Sequence, residues 1–562
     1  MIKTDNGIMY MTGGEACYIS RTDGGLAHLC FGARVEPEDD MRSAVGGGCR
    51  EYGFELSRGG KAVKTAFSLK SCEVVTRRTE CAFPTLRCGK TLEAVLEDEK
   101  NALELRLFYK PISRGGIARR FELINRGSDI EITYALCGGA RIVGGAEILR
   151  SSGLKKHADG KFVTDGKTPV VAAASGYAAY GFGMIYGGGY VVETDGESIG
   201  LALDFSDEPY ALCGGKTFCS PETFMMYSDR GVGGLARAVH DVIRELLMPE
   251  KYAVRRRPIY IVDGTAKPYD AAGLREKTAA SSRLGVDTFM LDVKSEIDEK
   301  VRDGISAAKV YATDVGLKLG IGLPIERCFD NSLKAAAELG ANVILLTAKN
   351  KGASAKQVFD RCVRAYSALG EVCAEYADLT VLCDGECDLG MGAYCMTVGA
   401  KPADRTEFEL FPPCMLTSRV EWTPRDVMLK SKFDRATFGA LSYAFDPLAV
   451  DGNTANAFRA QIYSYQDDAE LIAAGDMYGS GNVDTVVSKD KSKAYSVCSG
   501  AGKTGLKRVK FDGLDAHNLY HVRETDKTFS GAALVGYGIP LPAGAGENVS
   551  FAFHIRQVAD FE

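Results

Sequence analysis

The side chains best placed to do chemistry are acids. Asp292, Glu326, Asp384, Glu386 and Asp388 each fall at or just after a short apolar segment. Two carboxyls about 5–5.5 Å apart can break a glycosidic bond with retention, one as nucleophile and one as acid/base. A single acid in such a place more often caps a helix or closes a strand end. Histidine-based routes are excluded there, because His28, His157, His240, His517, His521 and His554 all lie outside residues 255–475. Cys383, Cys387 and Cys395 cluster without a fourth ligand at zinc spacing, so neither metal nor cofactor is expected. GAGKTG (500–505) has Val497 where a phosphate loop needs its first Gly and reads as a hairpin turn, and GFGMIYGGG (181–189) fails the dinucleotide spacing.

The elements that must position these acids are buried strands. PIYIVDG (258–264), VDTFMLD (286–292), LKLGIGLP (317–324) and NVILLT (342–347) are apolar runs separated by helix-like sequence such as LREKTAASSRLG (274–285). Repeated strand–helix units with continuous apolar strands imply a parallel (β/α) barrel, whose active face lies beyond the strand ends. At those ends stand Gly264, Asp292, Pro324 and Ala348. The later barrel is expected to include LTVLCDGECDLGMG (379–392) and a helix-like FDRATFGALSYAFD (433–446).

Residues 1–230 are strand-rich, with runs such as TLEAVLED (91–98), LELRLFY (103–109) and IEITYALCG (130–138), and predict a large β-sandwich. GVGGLARAVHDVIRELLMPEK carries helical spacing, so 231–254 is assigned to a linker helix. The barrel then occupies 255–475, and 476–562 returns to strands in VDTVVS, KAYSVCS and NVSFAFHI.

A length of 562 residues implies several cores, and a net charge of −6 offers no footprint for nucleic acid. The densest basic cluster, Arg255 to Arg257, is expected to be a solvated junction. There is no basic-then-apolar leader and no run of 18 apolar residues, and 17 unpatterned cysteines suit a reducing, cytoplasmic setting.

YISRTDGGLAHLCFGARV (18–35), residues 91–136 with Tyr109, Arg119 and the Asn125–Gly127 turn, ARAVHDVIRELLMPEKYAVRRRPIYI (236–261) and residues 509–542 occur in the order seen in one family. The chain resembles glycoside hydrolase family 36, the bacterial α-galactosidases or melibiases, along nearly its whole length. The resemblance implies an N-terminal β-supersandwich, a (β/α)8-type barrel and a C-terminal antiparallel β-sandwich, and a carbohydrate, of α-galactoside type, as partner. It also implies a homo-oligomer.

The same resemblance places Ala348 at the family's nucleophile and Gly399 at its acid/base, with Gly264–Thr265 at a Trp-Glu pair, Val293 at the second Asp of a pair and Leu346 at a Lys. Asp384 and Asp404 are the substitute acids. The implied substrate-binding set is Asp292, Lys294, Glu326, Asn350, Glu386, Cys387 and Asp388. A methyl group cannot form a glycosyl–enzyme bond, so the expectation is a weak or inactive hydrolase kept for carbohydrate binding or structure. The alternatives are a retaining α-glycosidase with relocated carboxylates and an oligomeric scaffold with a plugged barrel.

Overall fold

The computed structural model describes the chain apart from residues 6, 24, 36–47, 77–80, 150–153, 158–159, 165–169, 255–256, 265, 268–269, 327–330, 348–351, 385–387, 398–409, 426–428, 481, 500–506, 542–548 and 559–562. Up to Ser228 the fold is antiparallel: a five-stranded sheet followed by larger sheets of nine and eight strands. Leu103–Ile112 pairs with Gly116–Asn125 through a turn whose Gly115 has φ 98°, a left-handed conformation that a side chain would strain. Leu105, Leu107, Leu123 and Ile132 are buried in the shared core.

One charged group lies inside that apolar core. Glu51 accepts hydrogen bonds from Tyr18 Oη at 2.7 Å, Tyr109 Oη at 3.0 Å, Arg119 Nη1 at 3.1 Å, and Ser20 Oγ. Burial alone would raise the Glu51 carboxyl, but Arg119, His28 and the hydroxyls hold it below the usual range. A buried carboxylate is tolerable only with such partners.

The linker helix Gly231–Val242 buries Leu235, Val239 and Val242, then widens into a π turn over Ile243–Leu247 and stops before Pro249 instead of running on unbroken. Its Asp241 joins three parts of the molecule. It pairs with Arg244 at 2.6 Å on the helix, with Lys489 at 2.9 Å from the C-terminal sheet, and lies 3.9 Å from Arg114 of the sandwich.

Among the described residues the barrel sheet has seven parallel strands. Its order runs Thr380–Asp384, Val343–Thr347, Lys318–Pro324, Thr288–Asp292, Tyr260–Val262, Ala440–Ala444, Thr417–Glu421. Beyond its first edge, residues 396–397 add hydrogen bonds from Met396 N to Val381 O and from Cys383 N to Thr397 O. The stretch 433–446 is not one helix. Only Leu429–Ala436 is helical, and after Gly439 the run ALSYA becomes a strand buried between two neighbours. Arg257 is likewise not solvated: it is 9% exposed and bonded to the buried Tyr465. The GAGKTG segment lies outside the described residues.

The helix Gly452–Ala474 leads into a six-stranded antiparallel sheet, with a small ladder of Arg508–Val509 and Ile539–Pro540 sharing its apolar core. His554 of this sheet touches Asp468 of that helix at 2.9 Å and Glu524 at 2.5 Å. Burial would lower the imidazole, but the two carboxylates raise it to about 9.

Two outcomes follow for stability. Arg119→Met, which leaves Glu51 uncompensated, should lower the urea-unfolding free energy by roughly 3–5 kcal/mol. The stabilisation from protonated His554 is complete below its ordinary 6.5 and is lost as pH rises through about 9. Thermal melts should therefore show wild type losing more between these values than His554→Gln.

Candidate functional site

Parallel register brings the strand ends together. Asp292 sits beside Gly322, Pro324 beside Thr347, and Thr347 beside Asp384, so these C-terminal ends line one rim of the barrel. Gly322 leaves room there: a Cβ at that position would meet Asp292 Oδ1 at 3.4 Å. Ala348, Asn350, Glu386, Cys387, Gly399 and Asp404 lie outside the described residues.

The described acids differ sharply in surroundings. Asp292 keeps 27% of its side chain exposed and pairs at 3.2 Å with Lys294, which is mostly in solvent. Glu326, just past the third strand, is 53% exposed and 3.8 Å from Arg361. Both remain reachable by a ligand. Asp384 is 6% exposed and its Oδ2 is bonded by Arg419 Nη2. Those two residues stand on the first and last strands of the sheet formed by the described residues, so the pair joins strands that are not neighbours in its order.

Asp388 is placed differently from a ligand-facing acid. It caps the turn Leu389–Ala393 through Met391 N at 3.1 Å and accepts from Tyr366 Oη at 2.7 Å. Only 6% exposed, it is raised by burial to about 6 despite these donors. The sequence assigns Asp384 to the substitute acids and Asp388 to the substrate-binding set, and both side chains are buried.

Apolar side chains occupy the neighbouring positions. Val293, which follows Asp292, is 1% exposed, and Leu346 on the fourth strand is fully buried. Trp422, the chain's only Trp, packs its edge against Phe445 at 5.5 Å and Phe458 at 6.0 Å, in the core. Cys383 and Cys395 are buried free thiols, and among the described residues no cluster of His, Cys, Asp or Glu could hold a metal.

The sequence did not single out Asp263, Lys277, Asp446 or Arg419. Asp263, at the end of the first strand and 1% exposed, is bonded by the buried Lys277, which also lies 3.4 Å from Asp446. The Asp at the end of PIYIVDG was a visible signal, whereas attention fell on the Gly after it. Arg419 was signalled by a lone charge inside LTSRVEW.

The Melibiase family model matches residues 217–296, and the glycosyl hydrolase family 36 C-terminal domain matches residues 483–555. The chain belongs to glycoside hydrolase family 36. A bifunctional α-galactosidase/sucrose kinase of Mediterraneibacter gnavus is 21% identical over 84% of this chain and 63% of its own length. The α-galactosidase Mel36A of Lactobacillus acidophilus is 20% identical over 68% of this chain and 66% of its own. The chain thus spans less than two thirds of either relative. The fold is that of the galactosidase domain of an α-galactosidase–sucrose kinase, at TM-score 0.87 and 18% identity, covering 99% of this chain and 100% of that one. A family 36 α-galactosidase of Geobacillus stearothermophilus, solved with raffinose, matches at TM-score 0.84 and 18% identity over 98% of this chain and 100% of that one.

The pairing across the barrel edges can be tested within this family 36 chain. Arg419→Met strands the Asp384 charge and should cost about 3–5 kcal/mol of stability, whereas Arg419→Met with Asp384→Leu should recover most of that loss. Denaturant melts on both variants measure the difference, and equal losses would mean that the stranded Asp384 charge is not the source of the cost.

Proposed function

We propose that this family 36 chain binds carbohydrate of the α-galactoside class and hydrolyses it weakly or not at all. The observation that carries this reading is the filling of the rim. By resemblance, Leu346 and Val293 stand where the family has Lys and Asp, and both are buried apolar side chains. Ala348 and Gly399, at the nucleophile and acid/base places implied by the same resemblance, supply no carboxylate.

The substitute acid among the described residues supports the same view. Asp384 has a guanidinium on its Oδ2 and little access, so attack on an anomeric carbon would require that pair to open first. Asp292 and Glu326 keep exposed oxygens, which is enough to accept hydrogen bonds from sugar hydroxyls without bond cleavage. Cytoplasmic residence and self-association belong to the same proposal, supported by cysteine usage and by the family resemblance respectively.

Purified protein incubated with an aryl α-galactoside, melibiose and raffinose should turn over at least ~10³-fold more slowly than an active family 36 enzyme assayed beside it, as expected when the nucleophile is missing. Saturable turnover within tenfold of that control would establish relocated carboxylates instead. In calorimetry, Asp292→Ala should abolish any saccharide binding that wild type shows.

A further inference from the structure

The helix Gly452–Ala474 and the C-terminal sheet enclose a cleft of about 440 Å³, and none of its lining residues belongs to a barrel strand. One wall is the end of the helix, which carries Asp467 and Glu470. The other is the strand pair Lys493–Cys498 and Phe551–Gln557, on which Lys493 stands directly opposite Arg556. Acids therefore face bases across the cleft.

The other charges that line the cleft are already answered. Lys489 pairs with Asp241 at 2.9 Å, and Asp490 accepts from Ser492 Oγ at 2.8 Å and Ser492 N at 3.0 Å. His554 lies 2.9 Å from Asp468 and 2.5 Å from Glu524. Asp467, Glu470, Lys493 and Arg556 are different: among the described residues none of the four has an opposite charge within 4 Å, and all four are exposed.

The two walls are held at a fixed spacing. The contact of His554 with Asp468 ties the helix to the sheet, and Gly475 seats the helix end, because any Cβ there would collide with Val486 Cγ1 and with the carbonyls of Leu471 and Val487. The free acids and bases thus stand across a gap that they do not close on one another. We infer that this cleft binds a small zwitterion, a free amino acid or a dipeptide, with its carboxylate against Lys493 and Arg556 and its ammonium against Asp467 and Glu470.

The chemistry of the four side chains selects for both charges at once. A guanidinium and an ammonium offer only donors, which a carboxylate accepts, and two carboxylates offer only acceptors, which the three protons of an ammonium fill. The four charges sum to zero, so a ligand of net charge gains no long-range attraction, and one carrying a single sign answers one wall while facing its own sign on the other. A cleft whose charges are already in place spends little on ordering them when the ligand arrives.

The test uses the full chain in low-salt buffer, with L-alanine and L-alanyl-L-alanine as probes and acetate and ethylammonium as their single-charge halves. Calorimetry should give saturable binding of at least one zwitterion with Kd about 1 mM or tighter, and at least ~10-fold weaker binding of both halves. The tighter of the two zwitterions tells an amino acid from a dipeptide. Lys493→Met with Arg556→Met, and separately Asp467→Asn with Glu470→Gln, should each weaken binding at least ~10-fold. All four positions are exposed, so both double variants should keep the wild-type circular dichroism. No binding of either zwitterion up to about 20 mM overturns the inference. So does acetate binding as tightly as the zwitterions, or a folded double variant that keeps wild-type affinity.

Discussion

The ion pair between Asp384 and Arg419 ties together the first and last strands of the barrel sheet as the described residues form it. Among the described residues its seven parallel strands begin with Thr380–Asp384 and end with Thr417–Glu421. Among the described residues, Met396 and Thr397 add backbone hydrogen bonds to the first of these strands. Leaving either buried charge without the other is costly, so the pair holds the two strands to one another. Tyr260, deep in the first strand, feels both charges, which places the pair within the lumen.

The same demand governs the other buried acids. Asp263 has Lys277, Glu51 has Arg119 and two tyrosines, and Asp388 has Tyr366 and the turn's own amides. Each carboxylate taken out of water is answered by donors, and those donors use the lone pairs that catalysis would need. A glycosidase barrel leaves its nucleophile facing substrate. Among the described candidate acids, Asp292 and Glu326 face outward, and each has a cation within 4 Å. Such acids suit recognition better than bond-breaking.

Much of this frame was legible in the residues. TLEAVLED alternates and forms the strand Thr91–Asp98, and the four apolar runs after residue 257 form the first four barrel strands. Periodicity failed at 433–446, because ALSYA is too short to distinguish a buried strand from a helix until its neighbours are known. The charge partners were illegible for a different reason. Arg419 lies 35 positions from Asp384 and Glu51 lies 68 from Arg119, and only the folded register brings them together. Arg257 was misread because a basic run at a junction is ordinarily solvated, whereas the barrel's base supplies it with Tyr465. The acids themselves were visible, but whether each faces a ligand or a cation was not.

The central proposal is that no carboxylate among the described residues is poised to attack an anomeric carbon. Intact-mass spectrometry after incubation with an α-galactose-configured cyclophellitol aziridine, which alkylates the nucleophile of a retaining enzyme, tests it most directly. The account predicts an unmodified mass while an active family 36 enzyme in the same experiment is labelled. Stoichiometric labelling that maps to a single carboxylate, Asp384 above all, would contradict it.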